Sequence, residues 1–185
     1  YDLFACAKAC PVEVGGYGYA TVTDGRVHVN TVHPYKQVAT GTSVEVDASD
    51  VVKVHEAAVA AGTYDSLRVS WHSHVDFPTF FSTTDTDYIT SVGASGAPWL
   101  LSIVVNRVGD FLARLDVWAP VHLWALCEVV PADPERDAAA AKAVAKCVQR
   151  PAPLPPEVPR TLRVRRRGEG SQLLLAPDLG GAIEL

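Results

Sequence analysis

Stretches of two-residue alternation trade places along this chain with stretches of helical spacing, and the alternation sets the order of elements. Residues 12–20, Val-Glu-Val-Gly-Gly-Tyr-Gly-Tyr-Ala, form an apolar, glycine-rich run that reads as a central strand. Residues 21–47 alternate valine with polar positions around Asp24-Gly25, a two-residue hairpin signal, and continue through Val44-Glu45-Val46 as strands expected to extend the same sheet. Leu67-Arg68-Val69-Ser70-Trp71 reads as a buried strand, and residues 99–106 and 111–118, joined around Gly109-Asp110, read as a closing pair. The helical stretches fall between them. Asp2 caps a short helix over residues 3–10 that Pro11 stops, and Ser49 and Asp50 precede a valine- and alanine-rich helix over 51–61 that ends at Gly62. A further helix runs from Asp85 to about Val92, before the turn-rich loop Gly93-Ala94-Ser95-Gly96-Ala97-Pro98.

The pattern changes character after residue 130. Asp133 as N-cap and Pro134 at the first helical position open an alanine-rich helix reaching Gln149. Pro151-Ala152-Pro153-Leu154-Pro155-Pro156 reads as a stiff extended linker. Residues 162–167 and 172–175 flank Gly168-Glu169-Gly170 as a two-stranded ribbon, whose arginines 163, 165, 166 and 167 are best read as a solvated strand face. The expected division is therefore a main domain over residues 1–130 and a C-terminal extension over 131–185.

Composition narrows the function classes. With 185 residues and 48% hydrophobic content the chain can bury one sizeable core, and its formal charge of −5 argues against nonspecific nucleic-acid binding. Cys6, Cys10, Cys127 and Cys147 make neither a C-x-x-C pair nor a zinc-finger spacing, so no disulfide framework or structural metal knuckle is indicated. There is no apolar run of spanning length and no signal-peptide pattern, and a cytoplasmic location without membrane partners is the expectation.

The candidate chemistry lies in His72-Ser73-His74 and in Ser82-Thr83-Thr84-Asp85. Positions two apart on a strand face the same way, so His72 and His74 project together as half of a zinc site. Ser82 and Asp85, three apart at a helix start, share one helical face and can return toward the histidines. Asp85 then completes a three-ligand set, which leaves a fourth position for water, as catalytic zinc sites do. Glu13, on an apolar run without a sequence-local ion-pair partner, is a candidate general base. Ser82 is a candidate hydroxyl donor to the oxyanion of a tetrahedral intermediate. Each piece also has a plainer reading. Ser82 with Asp85 matches a helix cap with its acidic N3 residue, His72 and His74 can be polar edge-strand residues, and Glu13 can be a strand-end carboxylate in an ordinary ion pair.

Taken together, Glu13, His72-Ser73-His74, seven residues, Ser82, two residues and Asp85 resemble the signature of the JAMM (MPN+) metalloprotease family, a glutamate followed by H-[S/T]-H-x7-S-x-x-D. The resemblance covers roughly residues 1–125. It implies a three-layer α/β/α sandwich with a mixed central sheet, similar to cytidine deaminases, here carrying a C-terminal helix and β-ribbon extension. It also implies one zinc ion per chain on His72, His74 and Asp85, with Glu13 as general base and Ser82 stabilising the oxyanion. The activity it implies is that of an isopeptidase or peptidase acting after the C-terminal glycine of a ubiquitin-like or sulfur-carrier protein, with that modifier and its conjugates as partners. One departure is visible: the residue after the second histidine, usually proline in the family, is Val75, a difference expected to reshape the loop without removing a ligand. Two other functions stay open, a noncatalytic MPN-like scaffold and a zinc amidohydrolase acting on a small molecule, although the P-C-x-x-C of deaminase chemistry is missing.

Overall fold

In the computed structural model, which describes residues 3–129 and 137–151, the strand-forming runs assemble around one hairpin and one crossover. The hairpin joins β1 (Gly15–Thr23) to β2 (Arg26–Pro34) through Asp24 and Gly25, whose φ values of 52° and 72° are those of a type I′ turn. The crossover joins β5 (Leu67–Ser73) to β6 (Trp99–Val105) through α3 (Thr83–Ala94), and makes these two strands parallel. Antiparallel pairing of β6 with β7 (Phe111–Val117), and of β7 with β8 (Leu123–Cys127), completes a mixed six-stranded sheet of order β2-β1-β5-β6-β7-β8 among the described residues.

Two-residue periodicity assigns the faces of this sheet. Val69 and Trp71 of β5 point with Leu101 and Ile103 of β6 and Ala113 of β7 into a core closed by Ala5 and Cys6 of α1 (Leu3–Ala9) and by Ala140 and Val144 of α4 (Asp137–Cys147). The helix that the sequence places in the extension thus lies against α1. Ser70 and His72 face the other way, toward α3, whose Ile89 is buried. Helices flank both faces, and the fold is an α/β sandwich.

The glycines of β1 make room for the largest core side chain. Gly16 lies opposite Trp71, and a Cβ there would sit 2.1 Å from the His33 carbonyl oxygen and 2.7 Å from the Trp71 ring. Because the nearer obstacle is backbone, Gly16→Ala must part β1 from β2. We expect it to cost about 1–3 kcal/mol, read as a lowered denaturant midpoint with unchanged slope.

Three expectations are corrected. Residues 37–46 do not extend the main sheet: β3 (Gln37–Ala39) and β4 (Val44–Val46) form a separate three-stranded sheet with β9 (Val148–Gln149). Gln37 explains the break. Its amide nitrogen donates to the Gly15 and Tyr35 carbonyls at 2.8 and 2.7 Å, while its oxygen accepts from the Gly15 N–H at 2.8 Å, so a side chain occupies that part of the β1 edge. The second helix, α2 (Ala48–Ala60), starts earlier than expected because Asp47, not Ser49 or Asp50, is its cap, accepting the Ser49 N–H at 2.8 Å. Glu13 precedes β1 instead of lying within it, its N–H held by the Thr40 carbonyl at 2.8 Å. The Asp2 cap, the Asp133-Pro134 helix start, the proline-rich linker from residue 152 on and the arginine ribbon lie outside the described residues.

Candidate metal centre

The candidate ligands sit where β5 ends, at the carboxyl edge of the parallel β5–β6 pair, and α3 begins, a place where open α/β sheets commonly bind ligands. His72 is the penultimate residue of β5. Ser73, fully buried between the histidines, ties this end of β5 to the chain entering β1: its N–H donates to the Val14 carbonyl at 2.8 Å, and its Oγ accepts the Val14 N–H at 3.0 Å. Gly15 is the register partner of His72, so these bonds bring Glu13 to the end of the sheet where His74 leaves it.

His74 is fixed from both sides. Its backbone N–H donates to Val105 at 2.8 Å, and its Nδ1 lies 2.8 Å from the Pro78 carbonyl oxygen. A carbonyl only accepts, so Nδ1 carries the proton and Nε2 of the neutral ring keeps its lone pair for a ligand. Val75 then turns the chain with a φ of 52°, a conformation that valine rarely adopts and that proline, locked near −65°, cannot. Arg107 N–H bonds the Val75 carbonyl at 2.7 Å, and Asn106 Nδ2 bonds the Phe77 carbonyl at 3.2 Å, holding the loop that follows.

Asp85 arrives from α3 in a fixed orientation. Ser82 is the N-cap and Asp85 the N3 residue of a capping box: Asp85 Oδ2 accepts the Ser82 N–H at 2.7 Å and the Ser82 hydroxyl at 2.6 Å, while Ser82 Oγ accepts the Asp85 N–H at 3.2 Å. This holds Oδ2, and Oδ1 lies 3.6 Å from His72 Nε2. The two histidine Nε2 atoms are 3.1 Å apart, and the three donor atoms all lie within 4.8 Å of one another. Two ligands of one tetrahedral zinc, with bonds of about 2.0–2.1 Å, stand about 3.3–3.4 Å apart. The donor set fits a metal ion, with two imidazole nitrogens and a carboxylate oxygen converging.

The electrostatics suit such a site. Burial holds the His72 pKa below its usual value, the Asp85 carboxylate opposing and His74 adding to the effect, so His72 favours the neutral form that ligation requires. Glu13 is pushed up to about 7, first by burial and then by the negative charge of Asp85, which shows that the two carboxylates feel one another. Beside His72 and Asp85 lies a cavity of about 20 Å³, the size of one water, lined also by Ser70, Tyr88 and Ser102. Ser102 Oγ is buried and has no partner among the described residues.

His72, His74 and Asp85 are thus brought together, Glu13 lies within their field, and Ser82 is hydrogen-bonded to Asp85 with its hydroxyl proton engaged. The Ser73 hydroxyl, which bonds Val14 next to Glu13, and the Pro78 carbonyl, which meets His74, had no role assigned from the sequence, although Ser73 stands at the serine/threonine position between the two histidines. Ser82→Ala removes both the cap and one support of Asp85. We expect about 1 kcal/mol less stability and a 10- to 100-fold weaker metal affinity, the second measured by competition with a chromogenic chelator.

Fold and site together define an α/β sandwich with a three-ligand candidate metal centre. No protein-family model matches the chain, and no curated protein matches it. Among the described residues no helix is long and apolar enough to cross a membrane.

Proposed function

We propose that this chain is a JAMM-type zinc isopeptidase or peptidase that cuts after the C-terminal glycine of a ubiquitin-like or sulfur-carrier protein. The observation that carries the reading is the convergence of His72, His74 and Asp85 with Glu13 held in the same field, in the order and spacing of that family's signature. His72, His74 and Asp85 would hold the zinc, which would supply Lewis acidity and lower the pKa of the attacking water to about 7. Glu13 takes a proton from the attacking water at its carboxylate and delivers it to the leaving amine, a role helped by the burial that makes its carboxylate more basic. Ser82 orients Asp85 and, on turning its hydroxyl away from Oδ2, donates to the developing oxyanion. Phe77 and Phe80 are exposed on the loop that follows His74, with Phe80 edge-on to the His74 ring at 4.6 Å, and they offer an apolar wall to an extended peptide tail.

The test is hydrolysis by the zinc-loaded chain of a ubiquitin-like protein joined through its Gly-Gly tail to a lysine, alongside a linear Gly-Gly fusion. Cleavage after the glycines, stopped by a chelator and restored by zinc, is the expected result. A protein that holds zinc yet cuts neither substrate class would overturn the proposal and leave the binding-module reading.

A further inference from the structure

β6 reads Trp-Leu-Leu-Ser-Ile-Val-Val, apolar except for Ser102, and that serine is only 4% exposed. A hydroxyl in the middle of a buried strand is unfavourable unless it is hydrogen-bonded, yet Ser102 Oγ has no partner among the described residues. Strand pairing fixes what it faces. Ser70 of β5 is its parallel register partner, and the next residue on that face of β5 is His72. On the other side its register partner is Arg114 of β7, whose guanidinium is engaged elsewhere, 2.8 Å from the Asp116 carboxylate and 4.7 Å from the Trp124 ring. Ser102 is therefore left to the cavity of about 20 Å³ beneath α3, which it lines with Ser70, Tyr88, His72 and Asp85. The Tyr88 hydroxyl already bonds Ser70, so the wall is a polar patch inside an otherwise apolar layer. One water fits such a space and finds there the several polar partners that a buried water needs.

The two candidate histidine ligands are supported unequally. His74 has the Pro78 carbonyl at 2.8 Å from its Nδ1, whereas His72 makes its ring contacts through Nε2, to His74 Nε2 at 3.1 Å and Asp85 Oδ1 at 3.6 Å. A histidine that ligates through Nε2 carries its proton on Nδ1, and that proton needs an acceptor of its own. We propose that Ser102 is a positioning residue for the metal centre, holding with Ser70 one water in the cavity that accepts the Nδ1–H of His72. The water takes the His72 proton and the Ser102 hydroxyl proton on its two lone pairs and donates one of its own to Ser70 Oγ. Ser102 Oγ gains its missing partner, and the His72 ring is held in the tautomer that keeps the Nε2 lone pair for ligation. The proposal rests on the metal-centre reading and is independent of which bond the protein cuts.

The test is made on the full chain with Ser102→Ala, which deletes only an unpartnered hydroxyl, so the metal-free variant should keep the thermal midpoint of wild type. Its zinc affinity, measured by competition with a chromogenic chelator, should fall by about tenfold. The second reading is NMR of the zinc-loaded protein, isotope-labelled at the histidine ring nitrogens. The His72 Nδ1 proton should exchange slowly with solvent in wild type and faster in Ser102→Ala, while the His74 Nδ1 proton, held by the Pro78 carbonyl, should not change. A serine that only fills space would move neither reading. An unchanged zinc affinity or an unchanged His72 proton would overturn the proposal and leave the metal centre standing. A lowered metal-free midpoint would assign Ser102 to the fold and overturn it as well. A wild-type chain that takes up no zinc would remove the metal centre itself, and the positioning role with it.

Discussion

Glu13→Gln is expected to abolish turnover while zinc stays bound. The substitution keeps the shape and removes the proton acceptor, and general acid–base catalysis of this kind contributes about 10²–10⁴-fold. None of the three candidate ligands is altered, so zinc content by elemental analysis should match wild type while hydrolysis falls by that factor. The pH behaviour of the metal-free protein gives an independent reading. Glu13 is raised from 4.5 to about 7 by burial and by Asp85, so folding favours its protonated form. That contribution to stability is complete below the unfolded value and is lost as pH climbs through about 7. Metal-free Glu13→Gln should therefore unfold at a higher temperature than wild type near about pH 8, and at nearly the same temperature near about pH 4. Full activity in the variant would remove Glu13 from the mechanism, and an unchanged pH dependence of stability would remove the carboxylate from the buried site.

Local chemistry made some of this molecule legible in the sequence. Asp24-Gly25 announced the β1–β2 hairpin because both positions need positive φ, and the two residues supply it at little cost. His72 with His74, and Ser82 with Asp85, announced the candidate metal cluster because strand and helix periods fix which side chains share a face. Elements set by distant contacts were not legible. β3 and β4 alternate as sheet extensions do, and only Gln37 reaching back 22 residues to Gly15 shows why they form their own sheet. β8 is a five-residue run beyond Pro120, exposed on both faces, so it has neither the length nor the one-sided alternation that marks a strand. Glu13 read as a strand residue because its neighbours are apolar, and the Thr40 carbonyl that holds its N–H lies 27 positions away. At Ser82 the sequence offered a cap and an oxyanion donor together. The structure shows the cap, in which Ser82 Oγ accepts the Asp85 N–H, while the Ser82 hydroxyl proton goes to Asp85 Oδ2 and helps to aim that carboxylate.

Zinc should raise the thermal midpoint of the wild-type chain, and replacing the ligands should cancel the effect. At a free zinc concentration a hundredfold above the dissociation constant, binding to the folded state alone contributes about 2.7 kcal/mol. For a chain of this size that corresponds to a midpoint shift of about 5–11 °C, easily read by scanning calorimetry. The His72→Ala, His74→Ala double variant should show no shift and no bound zinc. It also leaves the Pro78 carbonyl without its donor and opens space beside Phe80, so part of any loss would be structural. Asp85→Asn separates the two. Its side-chain oxygen can still accept the Ser82 N–H and keep the cap, while the charge that faces the histidines disappears. The zinc-induced shift should shrink sharply with the metal-free midpoint nearly preserved. Glu13, no longer next to a negative charge, should titrate below its wild-type value of about 7 when followed by carboxyl-carbon NMR of the metal-free protein. Loss of the zinc effect together with this downward move of Glu13 would tie the base and the ligand to one site. A full zinc-induced shift in Asp85→Asn would leave the two histidines as the metal's anchors and take the aspartate out of the ligand set.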